Sequence, residues 1–354
     1  MTLSMNRRIV KTALAQAYQV NIRHSRSDYK TGDAQMKIQI QPLGDADLSE
    51  LARLNYEVRH DSPLSNKAPS VAHVEKAFGD LVTRETSNIT VQARDDSSGA
   101  LVGWLNLYAG IPTMVFLGRW HPLVPRGRKQ SSIARRLIQE AKSQTAILNR
   151  SRLEIQFDEI TPEHRPLLRT FDRWYSAEGF LKASEEYHMR AKLKKSSLEG
   201  FQVPQGFSLH SLTTVGNEDI RDCFLKAFLD SKDRLFLSMK PEQQDVTFHE
   251  CFRRSEPVDQ EHSYCIREDG RVVAFVLLQK QKDEYLVGYL GVHPKYRGKG
   301  LGGTILAHSL RDLISLGVRS ADIETDVTNT PAIRLYKRLG FTPVNREAYY
   351  YWNV

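Results

Sequence analysis

Two stretches of this chain repeat the same succession of residues. Trp120-His121-Pro122 followed by Arg126-Gly127-Arg128 is matched by Val292-His293-Pro294 followed by Arg297-Gly298-Lys299. Likewise Tyr175-Ser176-Ala177-Glu178-Gly179-Phe180 is matched by Tyr336-Lys337-Arg338-Leu339-Gly340-Phe341. The matched stretches lie roughly 165 residues apart, which predicts an internal duplication of one fold. The length of 354 residues agrees, because a single core seldom grows beyond about 250–300 residues.

The order of elements repeats as well. In the first half, strands are predicted at Lys37–Pro42, Ile89–Arg94, Leu101–Tyr108, Met114–Gly118 and Leu153–Phe157. A helix capped at Asp47 follows the first of them, and another covers Ser131–Ala146, with Ile133, Leu137, Ile138 and Ala141 on one face. In the second half, strands are predicted at Phe207–Leu212, Tyr264–Arg267, Val272–Gln279, Tyr285–Val292, Ala321–Thr325 and Glu347–Trp352. Its helices are predicted at Asp219–Phe228, about Gly302–Leu316, and Pro331–Leu339. Lys192–Gly200 is polar and lacks apolar periodicity, so the boundary between halves is placed there.

Composition narrows the function classes. With 40% hydrophobic and 26% charged residues the chain is globular and not disordered. No apolar run approaches the roughly 20 residues that a bilayer span needs, so no membrane partner is expected. The net charge of +8 suits an anionic ligand. It is scattered, with no basic stripe interleaved with aromatics, which argues against nucleic acid. Three cysteines, Cys223, Cys251 and Cys265, lack CxxC spacing and nearby histidines, which predicts a reducing cytoplasm and no structural metal. Residues 1–35 carry Arg7, Arg8 and Lys11, but Gln16 and Gln19 make the following stretch too polar for a signal peptide; an unstructured extension is expected.

The strongest chemical signal is Arg297-Gly298-Lys299-Gly300-Leu301-Gly302-Gly303, between an apolar strand and an amphipathic helix. Glycines there let backbone N–H groups converge, and the helix start adds partial positive charge, which together make a phosphate cradle. A P-loop is excluded because Gly302-Gly303-Thr304 lacks the lysine. Gly298, Gly300 and Gly303 satisfy G-x-G-x-x-G, with Glu324 about 20 residues on. However, His293–Arg297 separate the strand from the first glycine, and only about 50 residues follow Gly303, too few for a doubly wound sheet.

The C-terminal stretch resembles the GNAT superfamily of acyl-CoA-dependent N-acyltransferases. Its Arg/Gln-x-x-Gly-x-Gly/Ala signature stands here as Arg297 to Gly302, preceded by Gly291-Val292-His293-Pro294. A second block of the family is matched by Asn329-Thr330-Pro331-Ala332-Ile333-Arg334-Leu335-Tyr336 through Phe341. The resemblance covers 207–354 well, and 36–193 in order of elements and scattered residues. It implies an α+β fold with two tandem GNAT domains, each a mostly antiparallel twisted sheet flanked by helices. The expected division is 1–35 extension, 36–193 degenerate domain, 194–206 linker and 207–354 cofactor-binding domain.

The same resemblance implies roles. Arg297, Gly298, Lys299, Gly300, Leu301, Gly302 and Gly303 would hold the pyrophosphate of acetyl-CoA, and Leu290, Gly291 and Val292 would pair with its pantetheine arm. Asn329 and Ala332 would line the pantetheine side. Tyr336 would protonate the departing thiolate, a role that a neutral phenol suits. No glutamate lies on Tyr285–Leu290, where some family members carry a base; Glu284, Glu324 and Asp326 are the nearby acids, and Glu324 is the candidate acting through water. His293 reads as a turn element. In the N-terminal half, Lys129 and Ser131 stand where Gly300 and Gly302 would align, so cofactor binding is expected only in the C-terminal half.

The implied reaction is acyl transfer to the primary amine of a small molecule, without a metal; a homodimer is compatible with it. Two rival readings are acetylation of a protein lysine or N-terminus, and an acyl-CoA-binding regulatory module without turnover.

Overall fold

Alternation of Ile38 and Ile40 with Lys37, Gln39 and Gln41 starts the first strand, β1 (Met36–Pro42), and buries both isoleucines. The computed structural model describes residues 36–64, 70–84, 87–252, 258–281 and 284–354. The 1–35 extension lies outside them. The chain forms two units: an N-terminal one that includes 36–183 and Ala348–Val354, and a C-terminal one that includes Ser184–Glu347.

In the N-terminal unit, β1 is followed by α1 (Leu48–His60), α2 (Val71–Arg84), β2 (Asn88–Asp95), β3 (Leu101–Tyr108), β4 (Met114–Leu117), α3 (Gln130–Ile147), β5 (Arg152–Ile160) and α4 (Arg165–Ala177). Asp47 caps α1 by accepting from the Glu50 N–H at 3.0 Å. The reciprocal half of a capping box does not form, because the Glu50 carboxylate binds Arg94. Strands run in the order β1-β2-β3-β4-β5. They pair antiparallel except for β4 with β5, which is parallel over Met114–Phe116 and Arg152–Glu154. The predicted face of α3 is the one that packs: Leu137, Ile138 and Ala141 are fully buried against Val115, Leu153 and Ile155. Each such aliphatic side chain contributes about 1.5–3 kcal/mol.

The C-terminal unit takes most of β6 (Leu181–Lys192) and then β7 (Ser208–Ser211), α5 (Asn217–Leu229), α6 (Arg234–Leu237), α7 (Pro241–Cys251), β8 (Val258–Glu268), β9 (Arg271–Gln281) and β10 (Glu284–Val292). It ends with α8 (Leu301–Ser315), β11 (Ser320–Asp326), α9 (Thr330–Arg338) and the first part of β12 (Phe341–Asn353). The order is β6-β11-β10-β9-β8-β7, with β10 and β11 parallel and the other neighbours antiparallel. Ile305, Leu306 and Leu310 of α8 pack on Val276, Leu278 and Ile323. Both units thus set a parallel pair within an antiparallel sheet flanked by helices, the α+β class that the sequence implies.

The division of the chain differs from the expected one at 193. Residues Glu186–Lys192 pair in register with Asp326–Ser320, so β6 joins the C-terminal unit although it follows the first half in sequence. Ala348 and Tyr350 are buried with Phe157 in the N-terminal core, so the end of β12 goes the other way. The expected linker 194–206 is also built into the C-terminal unit: Leu198 is buried in its core, and Arg311 Nη2 donates to the carbonyls of Leu198 and Phe201.

Candidate functional site

The glycine-rich turn joins β10 to α8. His293 caps a short 3-10 turn, its Nδ1 accepting from the Lys295 N–H, which is the turn role expected of it. Gly298 and Gly300 lie at φ +82° and +80°, where an L side chain is strained, and Gly300 occupies the position preceding α8. It supplies no side-chain cap. The Thr304 N–H bonds to the Gly300 carbonyl, so the N–H groups of Leu301, Gly302 and Gly303 begin the helix without intrahelical partners. An anion is favoured at such a terminus.

The next two glycines serve packing. A Cβ on Gly302 would stand 3.3 Å from Val292, and one on Gly303 would stand 2.5 Å from the Phe201 ring. Gly291 is similar, since a Cβ there would meet the Phe275 ring at 2.4 Å. The Arg297 guanidinium binds the carbonyls of Val292, Ala227 and Asp230 and the Asp230 carboxylate. Its backbone N–H is spent on Pro294. Arg297 therefore shapes the turn through these bonds. Lys299 is exposed, its ammonium 5.1 Å from the Tyr296 ring.

Beside the turn, β10 parts from β11. Their parallel register covers Tyr285–Val287 and stops there, at a bulge between Val287 and Tyr289, while β10 continues to Val292. Leu290, Gly291 and Val292 pair with β9 on their other side. Among the described residues their β11-facing edge has no strand partner, which offers main-chain groups to an extended ligand.

The second block forms α9. Asn329 caps it, its Oδ1 accepting from the Ala332 N–H at 3.4 Å, which leaves the amide NH₂. Tyr336 is 6% exposed, and its hydroxyl has no hydrogen-bond partner among the described residues. Burial and then the Asp233 carboxylate push its phenol above the ordinary range, so it remains a neutral donor. Asp326, one of the acids considered as a base, is committed to Arg234 and to the Thr328 N–H and hydroxyl. Glu284 is exposed and contacts Arg190. Glu324 is half-buried, 3.5 Å from His188 Nδ1.

Around Glu324 stand groups that the sequence reading leaves out: Glu186 and His188 on β6, Asp233 at the start of α6, and Glu347 on β12. Glu324 lies opposite His188, and Asp326 opposite Glu186, in the antiparallel register, so these side chains share one face. His188 Nε2 is 3.2 Å from Asp322, and its Nδ1 is 3.9 Å from Glu347. Burial opposes the imidazolium, but bonds and charges of Asp322 and Glu324 prevail and raise it to about 10. His188, Glu324 and Glu347 have ligand atoms within 4.8 Å of one another, a spacing that a metal ion can bridge. Burial, then the Asp233, Glu324 and Glu347 carboxylates, raise Glu186 well above the usual range.

Among the described residues, the N-terminal unit lacks this arrangement. Lys129 precedes α3 at φ −90°, without a glycine turn. Trp120 is buried along the end of β5, its indole donating to Asp158 and its rings packed on Phe157 and Phe171. Tyr175, counterpart of Tyr336, is fully buried and bonded to the His121 carbonyl. Ser131 accepts from the Trp174 indole.

Comparison with known proteins follows this geometry. The chain is 30% identical over 170 residues to a mycothiol acetyltransferase of Thermomonospora curvata, which is 47% of this chain and 54% of that protein. It is 32% identical over 89 residues to the [ribosomal protein bS18]-alanine N-acetyltransferase of Escherichia coli, 25% of this chain and 60% of that one. It thus spans about half the length of the mycothiol acetyltransferases it matches. Among solved structures, a tandem GNAT protein from the clavulanic acid biosynthesis pathway matches 90% of this chain and 98% of its own, with a TM-score of 0.52 at 18% identity. That is a likeness of fold. The model of the acetyltransferase (GNAT) family matches residues 219–341, so that stretch of the chain is similar to that family.

Proposed function

We propose that the C-terminal unit is an acyl-CoA-dependent N-acyltransferase that moves an acetyl group to a primary amine of a small molecule. One combination carries the reading: the uncapped start of α8, the open edge of β10 after Val287, and the buried Tyr336, whose hydroxyl has no hydrogen-bond partner among the described residues. The N–H groups of Leu301, Gly302 and Gly303 suit a pyrophosphate, and the edge of Leu290–Val292 suits the amide-bearing pantetheine arm. Acetyl-CoA would supply the thioester as co-substrate. Lys299 adds positive charge at the mouth of the turn, and the Asn329 NH₂ is available to a pantetheine carbonyl.

The amine nitrogen attacks the thioester carbonyl, forming the C–N bond as the C–S bond breaks. Tyr336 gives its proton to the departing thiolate, and Glu324, through water, takes the proton that the amine loses. An acid kept neutral by burial and a carboxylate left partly open match these two tasks.

Calorimetric titration of acetyl-CoA into the wild type and into Gly300→Glu and Ser131→Glu tests the reading. One equivalent should bind to the wild type and to Ser131→Glu, and binding should be lost in Gly300→Glu while its far-UV spectrum is retained. Absence of binding to the wild type overturns the reading.

A further inference from the structure

In the N-terminal unit, the parallel pairing of β4 with β5 stops at Phe116 and Glu154, while β5 runs on to Ile160. Two consecutive side chains after β4 reach Asp158 on that extension. Arg119 Nη1 donates to Asp158 Oδ2, and the Trp120 indole donates to Oδ1 at 3.0 Å. Consecutive residues of an extended chain point to opposite sides. Here Trp120 takes φ +56°, a strained value for an aromatic residue, and both side chains meet one carboxylate.

The bond to Asp158 uses only one nitrogen of the Arg119 guanidinium. Its Nε and Nη2, the donors on the edge that takes paired oxygens side-on, are buried and have no hydrogen-bond partner among the described residues. In Arg190 and Arg234 the same edge is filled: Nε and Nη2 donate to the two oxygens of Asp322 and of Asp326. A second guanidinium adjoins Arg119. Arg59 of α1, partly exposed, donates from Nη2 to the Arg119 carbonyl at 3.0 Å, and no carboxylate bonds to it among the described residues. His121 adds no charge, because burial and then Arg59 hold its imidazole well below the usual range. Two guanidiniums thus share one bonded carboxylate, and the edge best shaped for another has none. Buried donors are nearly always satisfied, so this edge calls for an acceptor from outside the chain.

We propose that the N-terminal unit binds a small dianion with paired oxygens, those oxygens on the Nε and Nη2 edge of Arg119 and its remaining charge met by Arg59. A dicarboxylate and a phosphate share this chemistry, since each presents two oxygens at the spacing of the guanidinium edge. Asp158 supports the site by holding Arg119 through Nη1, which leaves the other edge to the ligand. The proposal does not depend on acyl transfer in the C-terminal unit.

Calorimetric titration of the full chain with sodium malonate and, separately, with inorganic phosphate tests the site, with chloride keeping the ionic strength constant. At least one of the two should bind as a single equivalent, to the wild type and equally to Gly300→Glu, whose change lies in the C-terminal turn. Binding of malonate alone identifies a carboxylate ligand, and binding of phosphate alone a phosphate. Arg119→Lys keeps a charge for Asp158 but loses the edge, so affinity should fall about tenfold or more with the melting temperature little changed. Arg59→Gln, which breaks no bond to a carboxylate, should weaken binding by a similar factor and decides the matter where the Arg119 variant does not fold. No saturable binding of either anion, undiminished binding in these variants, or loss of binding in Gly300→Glu would overturn the proposal.

Discussion

The hydroxyl of Tyr175 donates a 2.7 Å hydrogen bond to the carbonyl of His121, in a position where the hydroxyl of the corresponding Tyr336 has no hydrogen-bond partner among the described residues. Both rings are buried in their cores, but only the Tyr175 hydroxyl is bonded to the protein among the described residues. Tyr336→Phe should therefore lower kcat by about 10²–10⁴-fold, the range of a lost general acid, and leave the melting temperature nearly unchanged. Tyr175→Phe should do the opposite, costing about 1–3 kcal/mol for the unsatisfied His121 carbonyl with kcat retained. Steady-state assays and urea titration of the two variants check both halves; a large loss of activity in Tyr175→Phe would count against a single working site.

Much of this was open to reading before any fold was seen. Val292 to Gly303 needs glycine at Gly300 for a left-handed residue and at Gly303 for close packing, and both demands mark the sequence. The face of α3 and the cap at Asp47 are equally local. What local pattern does not announce is β6. Glu186, His188 and Arg190 alternate along it, and such a polar face reads as solvent-exposed, although Glu186 is buried. Its partner β11 lies more than a hundred residues on, so neither the unit boundary nor the acidic cluster could come from spacing alone.

The imidazolium of His188 gives a pH dependence with a definite sign. Its proton is held to about 10 in the fold, against an ordinary value of about 6.5 in the unfolded chain. The folded state binds that proton more tightly, so the stabilisation is complete below about pH 6.5 and is lost as pH rises through about 10. The wild type should lose a few kcal/mol more than His188→Gln between pH 6.5 and pH 10. Denaturant titrations of both proteins across that window measure the difference, and parallel pH profiles would show that the imidazole is not charged.

Phe201 and Gly303 give the last test, which concerns how the segment once read as a linker supports the site. The Phe201 ring stands where a Cβ on Gly303 would come within 2.5 Å of it, and Leu335 closes the other side at 3.2 Å. Arg311 holds the Phe201 carbonyl, and Thr304 holds that of Gln202, so the segment is strapped across the start of α8. Gly303→Ala must displace either the strap or the helix, and overpacking of this kind costs about 1–3 kcal/mol. Phe201→Leu opens the space, so the double variant should be less destabilised than the sum of the singles, with a coupling of about 1 kcal/mol or more. Acetyl-CoA affinity should follow the same order, since the Leu301–Gly303 N–H groups move with the helix start. Additive losses in urea titration would instead mean that the strap yields freely, and that the geometry of the turn is set by Arg297 and the two left-handed glycines alone.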